Sequence, residues 1–258
     1  MTQIIRSTDR IRELEGDFQR RYEPQFANVL LFQTMFNVVG LRALYFAGHL
    51  SSALTWQTAN RPAVACDMTV VGAPTIRTWN SITPYIRYNG AQAHTVASNT
   101  ENQIISNLTM FAIARPTALT GNHYIITKFD STGANQRQYA IQYNATGNVI
   151  FRCSSLGTAA STVSLTSSNA IAANEWGVIA ARYVPNATMD IWLNGVQTNL
   201  AAGVPANLFA GTAPLQLARE VAGSYLTGDI MLAAVCAFNV PDAAIMNYWQ
   251  LSRALFGY

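Results

Sequence analysis

The segment from Asn174 to Thr198 constrains the fold of this chain most strongly. Residues Trp176 to Tyr183 are apolar at almost every position, as in a strand that is covered on both faces. A Pro185-Asn186 turn follows, and the next strand ends at Asn194-Gly195. This dipeptide favours a tight type I′ hairpin, because both central residues need positive φ. Val196 to Leu200 is then predicted to be the returning strand of an antiparallel sheet.

The second strand of this segment alternates between apolar and polar residues. The apolar positions are Met189, Ile191 and Leu193, and the polar ones are Thr188, Asp190 and Asn194. A period of two places the apolar set on the core and the polar set in solvent. The segment therefore predicts the centre of a β-sandwich, and we expect Trp176 and Ile191 to fill the space between the two sheets.

The pattern W-x-x-x-A-x-R-Y … I-W-L-N-G in this segment resembles the signature of laminin-G-like, concanavalin A-like jelly-roll domains. Strand-like runs continue the resemblance at residues 42–46, 68–71, 85–88, 94–96, 109–115, 124–129, 137–143, 148–152, 214–218 and 225–238. The family's terminal helix has a counterpart at residues 241–256. The resemblance implies an all-β fold, a two-sheet antiparallel jelly-roll sandwich. This fold carries lectins, glycosidases, adhesion modules and virion proteins alike, so it does not imply one function.

Residues 1–40 differ in kind from the rest of the chain and are predicted to form an N-terminal helical arm, with the sandwich occupying residues 41–258. Ten of the chain's 29 charged residues fall between Arg6 and Glu23. A narrow apolar stripe runs along this charged helix, and the interface predicted from it and from two neighbouring cations consists of Ile11, Leu14, Phe18, Arg20 and Arg21. So narrow a stripe buries too little to hold a helix alone. The helix either lies on its own sandwich or docks on a neighbouring subunit.

Composition argues against several classes of partner. Charged residues make up 11% of the chain, against a typical value of about 25%. The net charge of +3 comes without a cluster of basic and aromatic residues, so no nucleic-acid partner is expected. The apolar stretch from Phe26 to Ala47 is interrupted by polar residues and is not expected to enter a membrane. Met1 precedes a polar, charged segment, so no signal peptide is expected either.

The cysteines are expected to be buried free thiols. Cys66, Cys153 and Cys236 lie far apart, within or beside apolar runs, and lack the spacing of a zinc site. An odd number of widely separated cysteines fits assembly in a reducing cytoplasm.

The sequence contains no recognisable pattern of catalytic residues, so the chain is predicted not to be an enzyme. The one dense acidic run, residues 13–17, lies in the predicted helix, where acids two apart point in nearly opposite directions. Other acids occur singly, and His49, His94 and His123 form no ligand pair. No catalytic residue and no cofactor is therefore predicted. Asp130 to Asn135 offers suitable oxygens for calcium, but it carries a single carboxylate and is better interpreted as a polar hairpin loop.

Aromatic residues could contact a sugar. The candidates are Trp56, Trp79, Tyr88 and Tyr225, together with several Asn residues, and each is equally acceptable as an ordinary sandwich or edge residue.

A wider combination resembles laminin-G-like proteins of tailed bacteriophages. It comprises Val39-Gly-Leu-Arg-Ala-Leu-Tyr45, Pro84-Tyr-Ile, Trp176, Asn194-Gly and Arg253-Ala-Leu-Phe-Gly257. The resemblance implies a virion component, either a capsid cement or decoration protein or a tail or fibre protein, assembled in the bacterial cytoplasm. Its partners would be further copies of the chain, for example in a homotrimer, and a major capsid or tail protein. The alternatives are a carbohydrate-binding module that recognises a host glycan and, third, a glycosidase.

Overall fold

The chain forms two antiparallel β-sheets packed face to face. A computed structural model describes residues 41–47, 66–80, 83–132, 135–254 and 256. The strands of this part are β1 (Leu41–Phe46), β2 (Thr69–Val71), β3 (Thr75–Trp79), β4 (Thr83–Asn89), β5 (Ala93–Val96), β6 (Leu108–Pro116), β7 (His123–Lys128), β8 (Tyr139–Tyr143), β9 (Asn148–Ser154), β10 (Thr162–Ala170), β11 (Gly177–Val184), β12 (Thr188–Leu193), β13 (Val196–Leu200), β14 (Leu215–Leu217) and β15 (Thr227–Cys236). One helix is described, α1 (Asp242–Ala254).

Strand order defines an eight-stranded and a seven-stranded sheet. The first runs β13-β12-β11-β6-β15-β4-β3, and β1 also pairs with β15. One edge of β15 is shared, because its residues 227–230 pair with β4 and its residues 232–236 pair with β1. The second sheet runs β10-β9-β8-β7-β14-β5-β2. This is the all-β sandwich that the sequence predicts.

The core between the sheets is rich in tyrosine, and each ring is anchored by its hydroxyl. Tyr139 donates to Asn102 O at 2.9 Å, Tyr143 to Ala114 O at 3.0 Å and Tyr183 to Pro205 O at 2.7 Å. Burial raises the pKa of all three phenols. The buried rings therefore add apolar area without leaving a polar atom unsatisfied.

The central segment folds as predicted in most respects. Asn194 and Gly195 both have positive φ, 50° and 81°, as a type I′ turn requires. The apolar set of β12 lies in the core and comprises Met189, Ile191 and Leu193.

Two expectations about this segment are wrong. Asp190 is buried rather than solvated, because Arg182, Gln197 and Asn199 bind its carboxylate on the outer face of the sheet. Trp176 does not lie between the sheets. Its ring packs 5.5 Å from that of Tyr85 and 4.8 Å from the Arg115 guanidinium, on the side of the eight-stranded sheet that faces away from the core.

Helix α1 packs on this same outer face. Ile245 and Tyr248 are buried, and the Tyr248 hydroxyl donates to Ala112 O at 2.8 Å. Beyond the helix, Phe256 stacks on Trp176 with ring centroids 5.5 Å apart. The acidic Asp242 occupies the first turn and the basic Arg253 the last, which suits the helix dipole.

The three cysteines are buried free thiols, as predicted. Burial raises the pKa of Cys236 to about 12 and raises that of Cys153 as well. Both thiols are therefore protonated near neutral pH, and thiol chemistry is not favoured at these positions.

Candidate functional site

The outer face of the seven-stranded sheet carries a row of polar and small side chains across four strands. Ala140 of β8 is paired with Arg152 of β9 on one side and with Thr127 of β7 on the other, and Thr127 is paired with Gln216 of β14. Their neighbours along each strand, such as Ile126 and Ile141, point into the core. Because side chains alternate, this row must face outward. It spans three strand spacings, about 14 Å.

A second, shorter row lies beside the first. Tyr124 of β7 is paired with Gln142 of β8, and its hydroxyl lies 3.4 Å from Arg152 Nη1. Gln142 donates from Nε2 to Asn122 Oδ1 at 2.8 Å. An aromatic hydroxyl, two amides and a guanidinium are thus brought to one patch of sheet, which we call the β7–β9 face.

Four buried polar atoms on and beside this face have no hydrogen-bond partner among the described residues. They are Gln142 Oε1, Gln216 Oε1, Arg152 Nε and Arg219 Nε. Gln142 and Gln216 are almost completely buried, at 0% and 3% exposure. Leaving a buried donor or acceptor unsatisfied costs roughly 1–3 kcal/mol, so native folds retain few such atoms. Half of the eight such side-chain atoms in the described part of the chain lie on or beside the β7–β9 face.

The hairpin Arg219–Tyr225 covers one side of this face. Thr127 donates from Oγ1 to Arg219 O at 2.7 Å. Across the hairpin, Arg219 pairs with Tyr225, and its guanidinium lies 5.1 Å from that ring. Glu220 is buried, and its Oε1 accepts from Ser131 N at 2.6 Å, which ties the hairpin to the loop after β7.

Charge at this face acts on the Tyr124 phenol. Burial raises its pKa and is the main cause; Glu220 acts in the same direction, and Arg152 and Arg137 act against it. The phenol therefore stays protonated at neutral pH and can both donate and accept a hydrogen bond. Glu220, Arg152 and Arg137 therefore lie within electrostatic reach of the Tyr124 phenol.

The residues predicted to contact a sugar are dispersed. Tyr225 lies at the β7–β9 face. Trp79 packs against Trp176 on the other sheet, with ring centroids 5.9 Å apart, and Tyr88 is a core residue whose hydroxyl bonds to His94 Nδ1 at 2.9 Å. Trp56 lies outside the described residues, as do the five arm residues predicted to form an interface.

The loop after β7, which the sequence favours as a polar hairpin loop over a calcium site, uses its carboxylate internally. Asp130 Oδ1 accepts from the amide and the hydroxyl of Thr132, at 2.9 and 2.5 Å. Within the described ranges, no group of three or more His, Cys, Asp or Glu residues is placed to hold a metal ion. Nor does any described helix have the length and apolar character needed to cross a membrane.

Buried acids elsewhere are neutralised by arginine. Asp229 is fully buried and binds both Arg87, at 2.7 and 3.0 Å, and Arg115. Asp190 accepts from Arg182 at 2.8 Å. Both carboxylates are therefore engaged in ion pairs with arginines of the same sheet.

The sandwich and its two sheet faces define a concanavalin A-like domain. The family profile described as "Concanavalin A-like lectin/glucanases superfamily" matches residues 88–238, from the end of β4 to just beyond β15. The match covers more than half of the sequence, so the chain belongs to this superfamily. No curated protein sequence matches the chain.

Solved structures share the fold at low sequence identity. Domain 4 of AbnA, an extracellular GH43 arabinanase from Geobacillus stearothermophilus in complex with arabinotriose, has a TM-score of 0.61 and 15% identity over 82% of this chain and 98% of that one. The binding domain of Paraclostridial Mosquitocidal Protein 1 has a TM-score of 0.60 and 12% identity, covering 81% and 52%. The binding domain of Botulinum Neurotoxin DC in complex with SialylT has a TM-score of 0.57 and 13% identity, covering 84% and 51%. The chain therefore spans about half the length of these toxin domains.

The sequence did not single out the residues of the β7–β9 face other than Tyr225. A signal was present, because Gln142 and Gln216 interrupt the apolar runs Tyr139–Tyr143 and Leu215–Leu217. A long amide inside a short buried strand needs a partner. The register that brings the two glutamines to one face with Arg152 and Tyr124 is not visible in the sequence.

Proposed function

We propose that this chain is a carbohydrate-binding domain whose ligand lies on the β7–β9 face. The observation that carries the proposal is two buried amide oxygens without partners: Gln142 Oε1, on the strand partner of Tyr124, and Gln216 Oε1, on the strand partner of Thr127. Sugars present hydroxyl groups that donate and accept, together with an apolar C–H surface. A site for them combines planar hydrogen-bonding side chains with an aromatic ring.

Each side chain has a defined role in this proposal. The two glutamine oxygens accept from sugar hydroxyls, and Arg152 Nε donates to a sugar oxygen. Tyr225, which is half-buried in the covering hairpin, offers its ring to the C–H surface. Because the unpaired atoms are buried, the proposal includes a movement of the hairpin Arg219–Tyr225, which is bonded to Thr127, when a sugar binds. Two hydrogen bonds, those at Thr127 and Ser131, resist this movement.

The fold relatives support the proposal. The arabinanase domain is described in complex with arabinotriose, and one toxin binding domain in complex with SialylT. Two of the three structures compared above are binding domains by description. Binding without catalysis agrees with the arginine-bound state of Asp190 and Asp229.

A glycan array followed by isothermal titration calorimetry tests the proposal. The wild type should bind at least one oligosaccharide, and Gln216→Leu should weaken that binding about tenfold or more, the equivalent of losing one good hydrogen bond. Gln250→Leu, at an exposed position of α1, is the matched control and should bind normally. A wild type that binds no glycan, or equal binding by Gln216→Leu, contradicts the proposal.

A structural role in a virion remains the second candidate. The low charge of the chain favours it, since few full charges would be desolvated when subunits pack. Deleting residues 1–23 should then leave a cooperative thermal transition and abolish incorporation into particles. Copurification of the full chain with purified particles at fixed stoichiometry would support this role. Normal incorporation of the truncated chain would place docking on the sandwich instead.

A further inference from the structure

The arginines near the β7–β9 face differ from those of the eight-stranded sheet in lacking a carboxylate partner. In the eight-stranded sheet, the arginines that are at least partly buried are ion-paired: Arg42 with Glu101, Arg87 and Arg115 with Asp229, and Arg182 with Asp190 and Asp242. Around the β7–β9 face, Arg137, Arg152 and Arg219 form no ion pair with any described residue. All three are nonetheless partly buried.

Neutral groups satisfy only one of these three arginines. Arg137 donates to Asn135 Oδ1 at 3.1 Å and to Ser131 O at 2.9 Å, and its guanidinium lies 5.8 Å from the Phe129 ring. Arg152 and Arg219 each keep a buried Nε–H without an acceptor. A partly desolvated guanidinium without a counter-ion is unfavourable, and it is the chemistry that an anionic ligand relieves.

The two carboxylates nearby do not fill this role. Glu220 Oε1 accepts from Ser131 N at 2.6 Å, and Asp130 Oδ1 accepts from Thr132. Neither forms an ion pair within the described part of the chain. The three arginines carry one positive charge more than the two acids can balance, so the region around the β7–β9 face has a net positive charge.

We infer that the glycan bound at the β7–β9 face is acidic and that a carboxylate of a uronic-acid type of sugar binds Arg152. A guanidinium presents Nε–H and Nη–H as a fork that matches the two oxygens of a carboxylate. Arg152 Nη1 already lies beside the Tyr124 hydroxyl, which adds a neutral donor at the same position. This inference rests on the carbohydrate-binding function proposed above and specifies the class of sugar.

Calorimetry with paired glycans tests the charge requirement. The probes are oligomers of galacturonate, hyaluronan and alginate, each compared with its methyl-esterified or carboxyl-reduced counterpart of the same length. The wild type should bind at least one acidic oligomer about ten- to a hundredfold more tightly than its neutral counterpart, the range expected for charge-assisted hydrogen bonds. Arg152→Gln should remove most of this preference, and Arg152→Lys should retain part of it. Arg77→Gln, at an exposed position of β3, is the matched control.

The outcomes separate the inference from the function on which it rests. Equal binding of acidic and neutral counterparts, or unchanged acidic binding by Arg152→Gln, overturns the inference and leaves carbohydrate binding intact. Equally tight binding of sulfated glycans without carboxylates, lost in Arg152→Gln, overturns the carboxylate assignment in favour of a sulfate ester. Failure to bind any acidic or neutral glycan overturns the proposed function itself. Melting temperatures of the variants close to that of the wild type exclude a loss of fold as the cause.

Discussion

Lys128 is the only lysine in the sequence, and its side chain is completely buried. Its amine donates to Ser98 Oγ at 2.7 Å and to Ala213 O at 2.6 Å. No described carboxylate pairs with it. Burial alone lowers the pKa of this amine from 10.5 to about 8, since the charged form loses its hydration. Lys128→Met keeps the length of the stem and removes the charge.

The lowered pKa of Lys128 determines how the difference in stability between the wild type and Lys128→Met changes with pH. The folded-state pKa is depressed, so between pH 8 and 10.5 the unfolded state binds more protons at this site than the folded state does. The lysine protein therefore gains stability relative to Lys128→Met as the pH rises through this window, and the burial penalty is complete below pH 8. At about 1.4 kcal/mol per pH unit, the total change is about 3 kcal/mol.

Urea unfolding of both proteins from pH 7 to 10.5 measures this change. The free energy of unfolding of Lys128→Met minus that of the wild type should fall by about 3 kcal/mol over the range. The hydrogen bonds that methionine cannot make shift this difference by a constant and leave its slope intact. Selective isotope labelling of lysine also gives a single Cε signal, whose titration reports the pKa directly. A flat difference together with a pKa near 10.5 would refute the burial argument.

Five further substitutions test other parts of the structure, each by its free energy of unfolding. Ile191→Ala should cost about 2–5 kcal/mol and Trp176→Ala about 3–5 kcal/mol, although they empty opposite faces of the sheet; an unchanged midpoint for either would show that its packing is wrongly described. Gly147→Ala should cost several kcal/mol, because the added Cβ would lie 1.9 Å from Ile171 O. The added Cβ of Gly121→Ala would meet no atom within 4 Å, so this substitution should cost only about 1–2 kcal/mol of backbone strain. Gln216→Leu should leave the protein as stable or stabilise it, since it removes an unsatisfied oxygen; a loss above about 2 kcal/mol would mean that Gln216 serves the fold.

The sequence predicted the strands in which apolar residues mark the buried positions, either as a continuous run or in alternation with polar residues. The buried run of β11 and the alternating core side of β12 were both recognisable, and so was the Asn194-Gly195 turn. Two strands, β3 and β10, were not predicted. Most residues of β3 are exposed, and β10 is an edge strand whose run of Ser and Thr reads as a loop. Edge strands exposed to solvent lack the apolar pattern on which such predictions depend.

The candidate site was harder to predict because it depends on register. Arg152 and Gln216 are 64 positions apart in the sequence and share a face only through the pairings of β9, β8, β7 and β14. Asp190 of β12 shows a different difficulty: its outward orientation was predicted correctly, but its burial was not. The alternation of that strand was read correctly, but the arginine and the two amides that bury the carboxylate come from neighbouring strands.

The central claim is that a glycan binds at the β7–β9 face, and nuclear magnetic resonance tests it most directly. The oligosaccharide that binds most tightly is titrated into isotope-labelled protein, and the side-chain amide signals of Gln142 and Gln216 are followed. Both signals should shift and saturate with the dissociation constant found by calorimetry, while the indole signals of Trp79 and Trp176 on the opposite sheet stay in place. Unmoved glutamine signals together with shifting indole signals would place the ligand on the eight-stranded sheet and contradict the claim.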